Sequence, residues 1–422
     1  MKFQSVKGMD DLFPPEIERW QVLERQSRTF FEAYGFREIR TPILESTELF
    51  SRSIGEASDI VHKEMYTFED RGSRSMTLRP EMTAGVVRAV LEHHLLKEHE
   101  PLFVYYFGPM FRAERPQAGR KRQFHQIGVE TLNTHSPVND AELIIMVKNY
   151  LELLGLKNYV IKLNHLGSQE DRESFGRELG RYFSSVQSKL CKDCQFRFSR
   201  NVLRIFDCKT EACQPLIAKA PKAKLSAKAQ TDFDKVSLLL REAQVPFSVE
   251  PKLVRGLDYY TGLVFEVTAE GLGTQDAILA GGRYDSLIHD LGGPRVGASG
   301  FSIGTERLLT SLESDGVRLE NLVLNDTVYV AAVVHGEENC GFYRKIAQAL
   351  VMLGKRAHFS FAEGSLSSHL GRANKMKAAY TLIVGEDEWK TGEVSIKRMD
   401  TGVQKRVKLE RLVQEFGELS NA

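Results

Sequence analysis

Apolar positions along this chain change period repeatedly, and each change predicts an element. In PPEIERWQVLERQSRTFFEAY, residues 14–34, Ile17, Trp20, Leu23, Phe30 and Phe31 fall near one face at helical spacing, behind prolines that suit a helix start and ahead of Gly35, which suits a stop. FREIRTPILE then alternates as a strand does, with Pro42 confining it to an edge, an interface or a strand end. LFVYYFGPMFRAE at 102–114 and QFHQIGVE at 123–130 are further strand patterns, joined by a long basic connection into a predicted hairpin. Helical spacing returns at 139–155, and NYVIKLNHLG starts another strand. Residues 168–246 are polar, lysine-rich and helical in pattern, an expected insertion between two strand-rich regions. A strand at 263–268, the glycine-rich AGGRYDSL, and GASGFSIGTERLLTSL, a strand feeding a helix, follow it. Mixed helices and hairpins point to an α+β domain on a largely antiparallel sheet.

Residues 314–326 are polar and read as a linker. Beyond them TVYVAAVVH, CGFYRKIAQALVMLG, RAHFSF, SHLGRANKMKA and YTLIVG alternate strand and helix, and EVSIKRM with KRVKL closes as a hairpin. Residues 327–422 are therefore expected to form a small, mostly parallel α/β domain beside a first domain over 1–320. Without a run of about 18 apolar residues no membrane span is expected, and MKFQSVKGMDDLFPPE lacks the apolar core of a secretory signal. Five cysteines are too few for a disulfide scaffold, so the expected compartment is the cytoplasm. A net charge of +1 leaves any polyanion partner to local patches. RAERPQAGRKR at 112–122 holds five Arg/Lys against one acid, and residues 186–228 hold ten against three. Each alone reads equally as a solvated face; together they point to a phosphate-rich partner.

In a strand, residues two apart share a face, so Arg112 projects with Glu114, and Phe124 with Gln126 and Glu130. If these strands pair, one sheet face offers a guanidinium, carboxylates, an amide and a flat aromatic, costly to bury without a ligand. A wet face laced with cross-strand salt bridges is the other reading. LRPEMTA at 78–84 adds Arg79, Glu81 and Thr83, where a carboxylate also suits a helix start. VRGLDYYTGLVFE at 254–266 sets an arginine, an aspartate and two tyrosines before a buried strand: a ligand-orienting cluster, or a structural Arg–Asp pair with core tyrosines. GGRYD and GFSIGTERL bring glycine-lined backbone near Arg283 and Arg307. There is no P-loop or GxGxxG, so arginines would have to hold the phosphates of any nucleotide. Cys191, Cys194, Cys208 and Cys213 form C-x2-C-x13-C-x4-C, close to structural zinc spacing, but the second pair is not C-x2-C. Buried thiols are the preferred reading there, and no metal is assigned. His125, on the opposite strand face from Gln126, is expected to be a satisfied core or interface histidine.

TPILE, FRAERPQAGRKRQFHQIGVE and GFSIGTERL resemble the three motifs of class II aminoacyl-tRNA synthetases, and RGLDYYTGLVFEV and AGGRYD resemble the two signature peptides of the histidyl-tRNA synthetase family. The resemblance runs from KGMDDLFPPE through the C-terminal α/β domain. It implies an antiparallel catalytic sheet flanked by helices, a homodimer formed partly through the Pro42 region, a helical insertion embracing the tRNA acceptor arm, and a C-terminal anticodon-binding domain. It implies ATP with Mg2+, L-histidine and tRNA(His) as substrates of a two-step ligation through histidyl-adenylate.

Carried over by residue, the resemblance has Arg112 grip the α-phosphate, Glu114 the adenine end and Arg307 the γ-phosphate, with Phe124 stacked on adenine. Arg255 would sit at the histidine carboxylate and α-phosphate, making Arg112 and Arg255 the catalytic pair. Glu81, Thr83 and Gln126 would receive the α-ammonium, with Met82 beside them; Glu130 and Tyr260 would receive the two imidazole nitrogens, with Tyr259 lining the pocket and Tyr284 nearby. Arg115, Gln117 and Arg120 would face the acceptor end of the tRNA. Met82, where a small residue is expected, and Thr305, in place of an aliphatic one, depart from the pattern and bear on pocket shape. The alternative is a non-catalytic, synthetase-like regulatory subunit of ATP phosphoribosyltransferase. Against it stand residues 327–422 and the retained Arg112, Arg255 and Arg307.

Overall fold

A computed structural model describes residues 3–55, 58–116, 119–269, 272, 277–319, 327–333, 340–360 and 365–420. The chain forms two compact units, Met1–Leu319 and Glu320–Ala422. Strands of the first unit are β1 (Arg37–Glu38), β2 (Leu44–Ser46), β3 (Tyr66–Glu69), β4 (Ser75–Leu78), β5 (Leu102–Phe111), β6 (Gln123–Leu132), β7 (Tyr159–His165), β8 (Phe247–Val249), β9 (Thr261–Ala269), β10 (Ala277–Arg283) and β11 (Ala298–Gly304). Eight of them build one sheet in the order β1-β5-β6-β11-β10-β9-β7-β8. Its edge strands join in parallel and all inner pairings are antiparallel, the expected α+β architecture.

The predicted hairpin is present, with Leu102 opposite Leu132 and Phe111 opposite Gln123. Alternation sorts its residues between two layers. Tyr105 meets Phe31 of the helix Glu16–Ala33 at 5.8 Å between ring centres, and Tyr150 of the helix Pro137–Leu153 packs at a tilt against the same Phe31 at 5.3 Å. On the opposite face Val104, Tyr106 and Met110 pack with Val86, Val87 and Val90 of the helix Thr83–Glu92. Tyr106 can lie across its neighbour only because residue 128 is glycine; any Cβ there would collide with the phenol ring.

Two local expectations change. FREIRTPILE is not one strand: β1 and β2 flank Pro42 and belong to different sheets, β2 lying in a three-stranded sheet β2-β4-β3. The carbonyls at this break are held by Arg79, whose guanidinium donates to Thr41 O at 2.8 Å, Pro42 O at 3.3 Å and Pro109 O at 2.9 Å. Arg79 is thus a structural staple. In addition β5 ends at Phe111, so Arg112 and Glu114 follow the strand and do not share its face; the Arg112 amide still donates to Arg122 O at 2.8 Å.

The polar stretch after β7 folds as the helices Gln169–Ser184, Lys192–Arg200, Gln214–Ala218 and Ala227–Glu242 with short 3₁₀ turns between them. In the second unit β12 (Thr327–Ala332), β13 (Arg356–Ser360), β14 (Tyr380–Val384), β15 (Glu393–Arg398) and β16 (Gln404–Lys408) take the order β13-β12-β14-β15-β16, parallel in the first three and closed by the expected hairpin. Val330, Leu382 and Ile396 form its core with Ile346, Leu350 and Phe416. No described helix is long and apolar enough to cross a membrane.

One buried ion pair latches β10 to the helix Pro137–Leu153. Arg283 Nε and Nη2 donate to the two oxygens of Asp140 at 2.9 and 2.7 Å, and Nη1 donates to Thr134 O at 2.9 Å. Arg283→Met leaves Asp140 buried without its cation and is expected to lower the unfolding free energy by about 3–5 kcal/mol in urea denaturation. Adding Asp140→Leu should recover most of that loss; equal instability of the single and double variants would refute the pairing as cause.

Candidate active site

Glu81 sits at the mouth of the helix Thr83–Glu92 and caps it, accepting from Thr83 N at 2.8 Å and Ala84 N at 2.9 Å. These are first-turn amides with no partner inside the helix, and the negative group stands at the positive end of the dipole. Thr83 then donates its hydroxyl to Glu130 Oε1 at 2.7 Å, linking the two carboxyl groups through one residue. Tyr284 donates to Glu130 Oε2 at 2.5 Å, Tyr106 to Oε1 at 3.3 Å, and Tyr259 to Glu81 Oε2 at 3.4 Å. Glu130 fits because its partner on β11 is Gly300, where a Cβ would strike the carboxylate.

Both carboxyls are nearly sealed, Glu81 at 3% and Glu130 at 1% exposure. Burial pushes both upward from the usual carboxylate range: Glu81 rises against its two amide donors, and Glu130 is pushed up to about 8 against three hydroxyls. Burial also raises Tyr106, Tyr259, Tyr260 and Tyr284, so these phenols are donors at neutral pH. Such a pocket favours a cationic or N–H-rich ligand, which would restore the charged form of the acids.

The pocket opens into a cleft of about 600 Å³ whose far part is arginine-lined. Arg255 donates to Glu266 Oε2 at 2.6 Å, and its buried Nε has no partner. Arg112 donates to Pro80 O at 3.1 Å with its guanidinium 5.1 Å from the Phe124 ring centre. Arg307 donates to Gly119 O and Ala277 O, each at 2.8 Å. Each guanidinium is thus held by one or two contacts while lining open space. Gln126 donates to Ser302 Oγ at 3.4 Å, but its buried Oε1 has no partner. An orphan donor and an orphan acceptor on one cleft are places for ligand atoms.

The cleft wall brings together Glu81, Thr83, Arg112, Glu114, Arg120, Phe124, Gln126, Arg255, Tyr259, Tyr260 and Arg307. Glu114 pairs with Arg120 at 2.8 Å. Glu130 and Tyr284 lie one layer beneath, reached through the hydroxyls above them. Met82 points elsewhere: it is buried in the core under the sheet, and its sulfur accepts from Thr41 Oγ1 at 3.1 Å. Arg115 is exposed, and Gln117 lies outside the described residues. His125 is satisfied as expected, its amide and ring nitrogen reaching the Glu306 carboxylate at 3.0–3.1 Å.

The Arg–Asp pair considered inside RGLDYY does not form. Arg255 pairs with Glu266, eleven residues on, and Asp258 accepts from Arg204 Nε at 3.1 Å and Nη2 at 2.9 Å. Arg197, Arg204, Asp207 and Lys209 also line the cleft, from the insertion. The basic run 186–228 was their signal, but pattern alone did not carry it to this site.

Comparison with known proteins decides the family. The family model described as Histidyl-tRNA synthetase matches residues 8–171 and 198–308, and the one described as Anticodon binding domain matches residues 327–419. The chain belongs to the histidyl-tRNA synthetase family. It is 42% identical over 421 residues to the histidine–tRNA ligase of Halothermothrix orenii, covering 99% of this chain and 100% of that one. The apo crystal structure of S. aureus histidyl-tRNA synthetase is similar at a TM-score of 0.79 and 32% identity, covering 98% of this chain and 99% of that one. A Bacillus halodurans C structure titled ATP phosphoribosyltransferase regulatory subunit/histidyl-tRNA synthetase has a TM-score of 0.62 at 20% identity, covering 88% and 97%, which shows a shared fold alone. The full-length match to ligases in this family leaves the regulatory-subunit alternative disfavoured.

The raised acid of Glu130 has a pH signature. Its neutral form is the one the fold favours, so that contribution is whole below the unfolded value near 4.5 and is lost as pH rises through about 8. Glu130→Gln does not titrate. Its stability relative to wild type should therefore climb by up to about 1.4 kcal/mol per pH unit across that window in urea denaturation. A difference independent of pH would refute burial of a neutral carboxyl.

Proposed function

We propose that this chain ligates L-histidine to tRNA(His), first condensing histidine with ATP to histidyl-adenylate and then transferring the histidyl group to a ribose hydroxyl of the tRNA with release of AMP. The observation that carries this is a single cleft with two linked, buried carboxyl groups at one end and three anchored guanidinia toward the other. The first end suits an ammonium and an imidazole, and the second suits phosphates.

The α-ammonium of histidine meets Glu81, Thr83 and the orphan Oε1 of Gln126, while the imidazole is read by Tyr260, lined by Tyr259, and by Glu130 with Tyr284 at its back. Reading both ring nitrogens rejects analogues lacking one, because an unpaired buried partner costs about 1–3 kcal/mol. A histidine carboxylate oxygen then attacks the α-phosphorus, a new O–P bond forms, the bond from the α-phosphorus to the oxygen bridging it to the β-phosphorus breaks, and pyrophosphate leaves. This attack needs no proton removal. Catalysis therefore rests on alignment and on stabilising charge at phosphorus, for which fixed guanidinium forks serve. Arg255 bridges the reacting carboxylate and α-phosphate, Arg112 grips the α-phosphate over Phe124 and the adenine, Glu114 takes the adenine end, and Arg307 takes the γ-phosphate.

Mg2+ arrives as part of the nucleotide substrate; Glu64, on this wall, supplies a hard oxygen donor of the type it takes. Residues 1–320 form the catalytic domain with the insertion at about 168–246, and 327–422 the anticodon-binding domain. Arg115, Gln117 and Arg120 face the acceptor end of the tRNA. Exposed Ile43 and Leu44, at 42% and 37%, support an apolar homodimer contact beside Pro42, and the working compartment is the cytoplasm.

ATP–pyrophosphate exchange assayed with each of the twenty amino acids should respond to histidine alone; response to another amino acid and none to histidine would overturn the reading. Arg255→Ala should lower histidine-dependent exchange by roughly 10²–10³-fold with an unchanged far-ultraviolet circular dichroism spectrum. Wild-type exchange in that variant would remove Arg255 from the mechanism.

A further inference from the structure

Cys191, Cys194, Cys208 and Cys213 come from separate turns of the insertion, yet their sulfurs all lie within 4.8 Å of one another. Cys191 precedes the helix Lys192–Arg200 and Cys194 lies in its first turn; Cys208 ends the 3₁₀ turn Val202–Asp207, and Cys213 precedes the helix Gln214–Ala218. Four thiolates at about 2.3 Å from one zinc ion stand about 3.8 Å from each other at the corners of a tetrahedron. The Cys191 and Cys208 sulfurs are separated by 3.8 Å. A disulfide requires about 2.0 Å and joins sulfurs in pairs, whereas here each is near three others. Backbone amides support the charge such ligands would carry: Cys191 N donates to Cys213 Sγ and Thr210 N to Cys208 Sγ, both at 3.3 Å. Phe175, Leu179, Phe183 and Ile205 enclose the group in an apolar shell.

We propose that these four cysteines bind one structural Zn2+ and that this ion positions the loop carrying Arg255. The irregular second pair, x4 in place of x2, is accommodated because Cys208 and Cys213 approach from a 3₁₀ turn and a helix start, so spacing along the chain does not measure spacing between sulfurs. The link to the cleft is short. Arg204, inside the turn that ends at Cys208, donates to Asp258 and at 2.8 Å to Gly256 O, and Asn201 Nδ2 donates to Asp258 Oδ1 at 3.0 Å. Gly256 and Asp258 are the near neighbours of Arg255. Between the helices Lys192–Arg200 and Gln214–Ala218 the chain has only short 3₁₀ turns, and the ion would cross-link these to the helix starts as metal-stapled modules do.

Elemental analysis of the untagged full chain, purified from zinc-supplemented culture under reducing conditions, should find about one zinc per chain. The double variant Cys194→Ser/Cys213→Ser should carry background zinc only. Since that variant can fail to fold, wild-type chain stripped with a thiol-directed mercurial and reduced again provides an independent measure: Co2+ added to it should give the intense visible bands of a tetrahedral thiolate site. Background zinc together with all five cysteine thiols of the chain titrating under denaturing conditions and the four of the cluster titrating freely in the folded chain, an octahedral Co2+ spectrum, or one iron per chain in place of zinc would overturn the assignment. Hydrogen exchange should rise at residues 201–209 and 255–260 on stripping. Unchanged protection at 255–260 would overturn the positioning role.

Discussion

A carboxyl group sealed from water must be met by donors or by a cation, and the sheet of the first unit is arranged around two of them. Glu130 stands on β6 with Gly300 opposite, and that missing side chain is the room its carboxylate occupies. Gly128 beside it lets Tyr106 lie flat beneath, and the helix start at Thr83 brings in a hydroxyl and the caps of Glu81. A slip of one residue between β6 and β11 would turn Glu130 to the other face, toward Phe31 and Tyr150 and away from the hydroxyls of Thr83 and Tyr284 that now meet it. Register, glycine placement and helix capping are therefore consequences of one electrostatic demand.

The same demand, with opposite sign, shapes the other end of the cleft. A chain without a P-loop has to hold phosphate with side chains, and a guanidinium in a partly buried wall needs an anchor that does not consume all its donors. Arg112 and Arg307 are anchored by backbone carbonyls, and Arg255 by Glu266. Pairing Arg255 with a residue on β9 ties it to the sheet, while Arg204 of the insertion holds Asp258 three residues away. The loop between them is thus braced from two sides, and the insertion contributes to the geometry of the cleft as well as to its charge.

Much of the fold was legible because its elements obey strong local rules. LFVYYFGPMF and QFHQIGVETL read as strands from their β-prone residues, their side chains alternating between two buried layers, and the strands and helices after residue 327 alternate as a parallel sheet with crossover helices requires. Elements failed where a distant group intervened. FREIRTPILE kept its alternation but not its continuity, because the guanidinium of Arg79 takes carbonyls that a continuous strand would have used in its ladder.

The chain alone therefore determined the family motifs, the two-unit order of elements and the chemical inventory of the cleft: acids, arginines, tyrosines and an amide at recognisable positions. Only the tertiary structure decided who meets whom. It set Arg255 against Glu266, Asp258 against Arg204, Met82 in the core, Glu130 beneath the pocket floor, and four sulfurs within 4.8 Å of one another. The division has a physical cause. Periodicity reports which face of an element is buried, which is a local property of the backbone. A charge pair or a ligand set depends on distances between elements far apart in the chain, and those are fixed by packing.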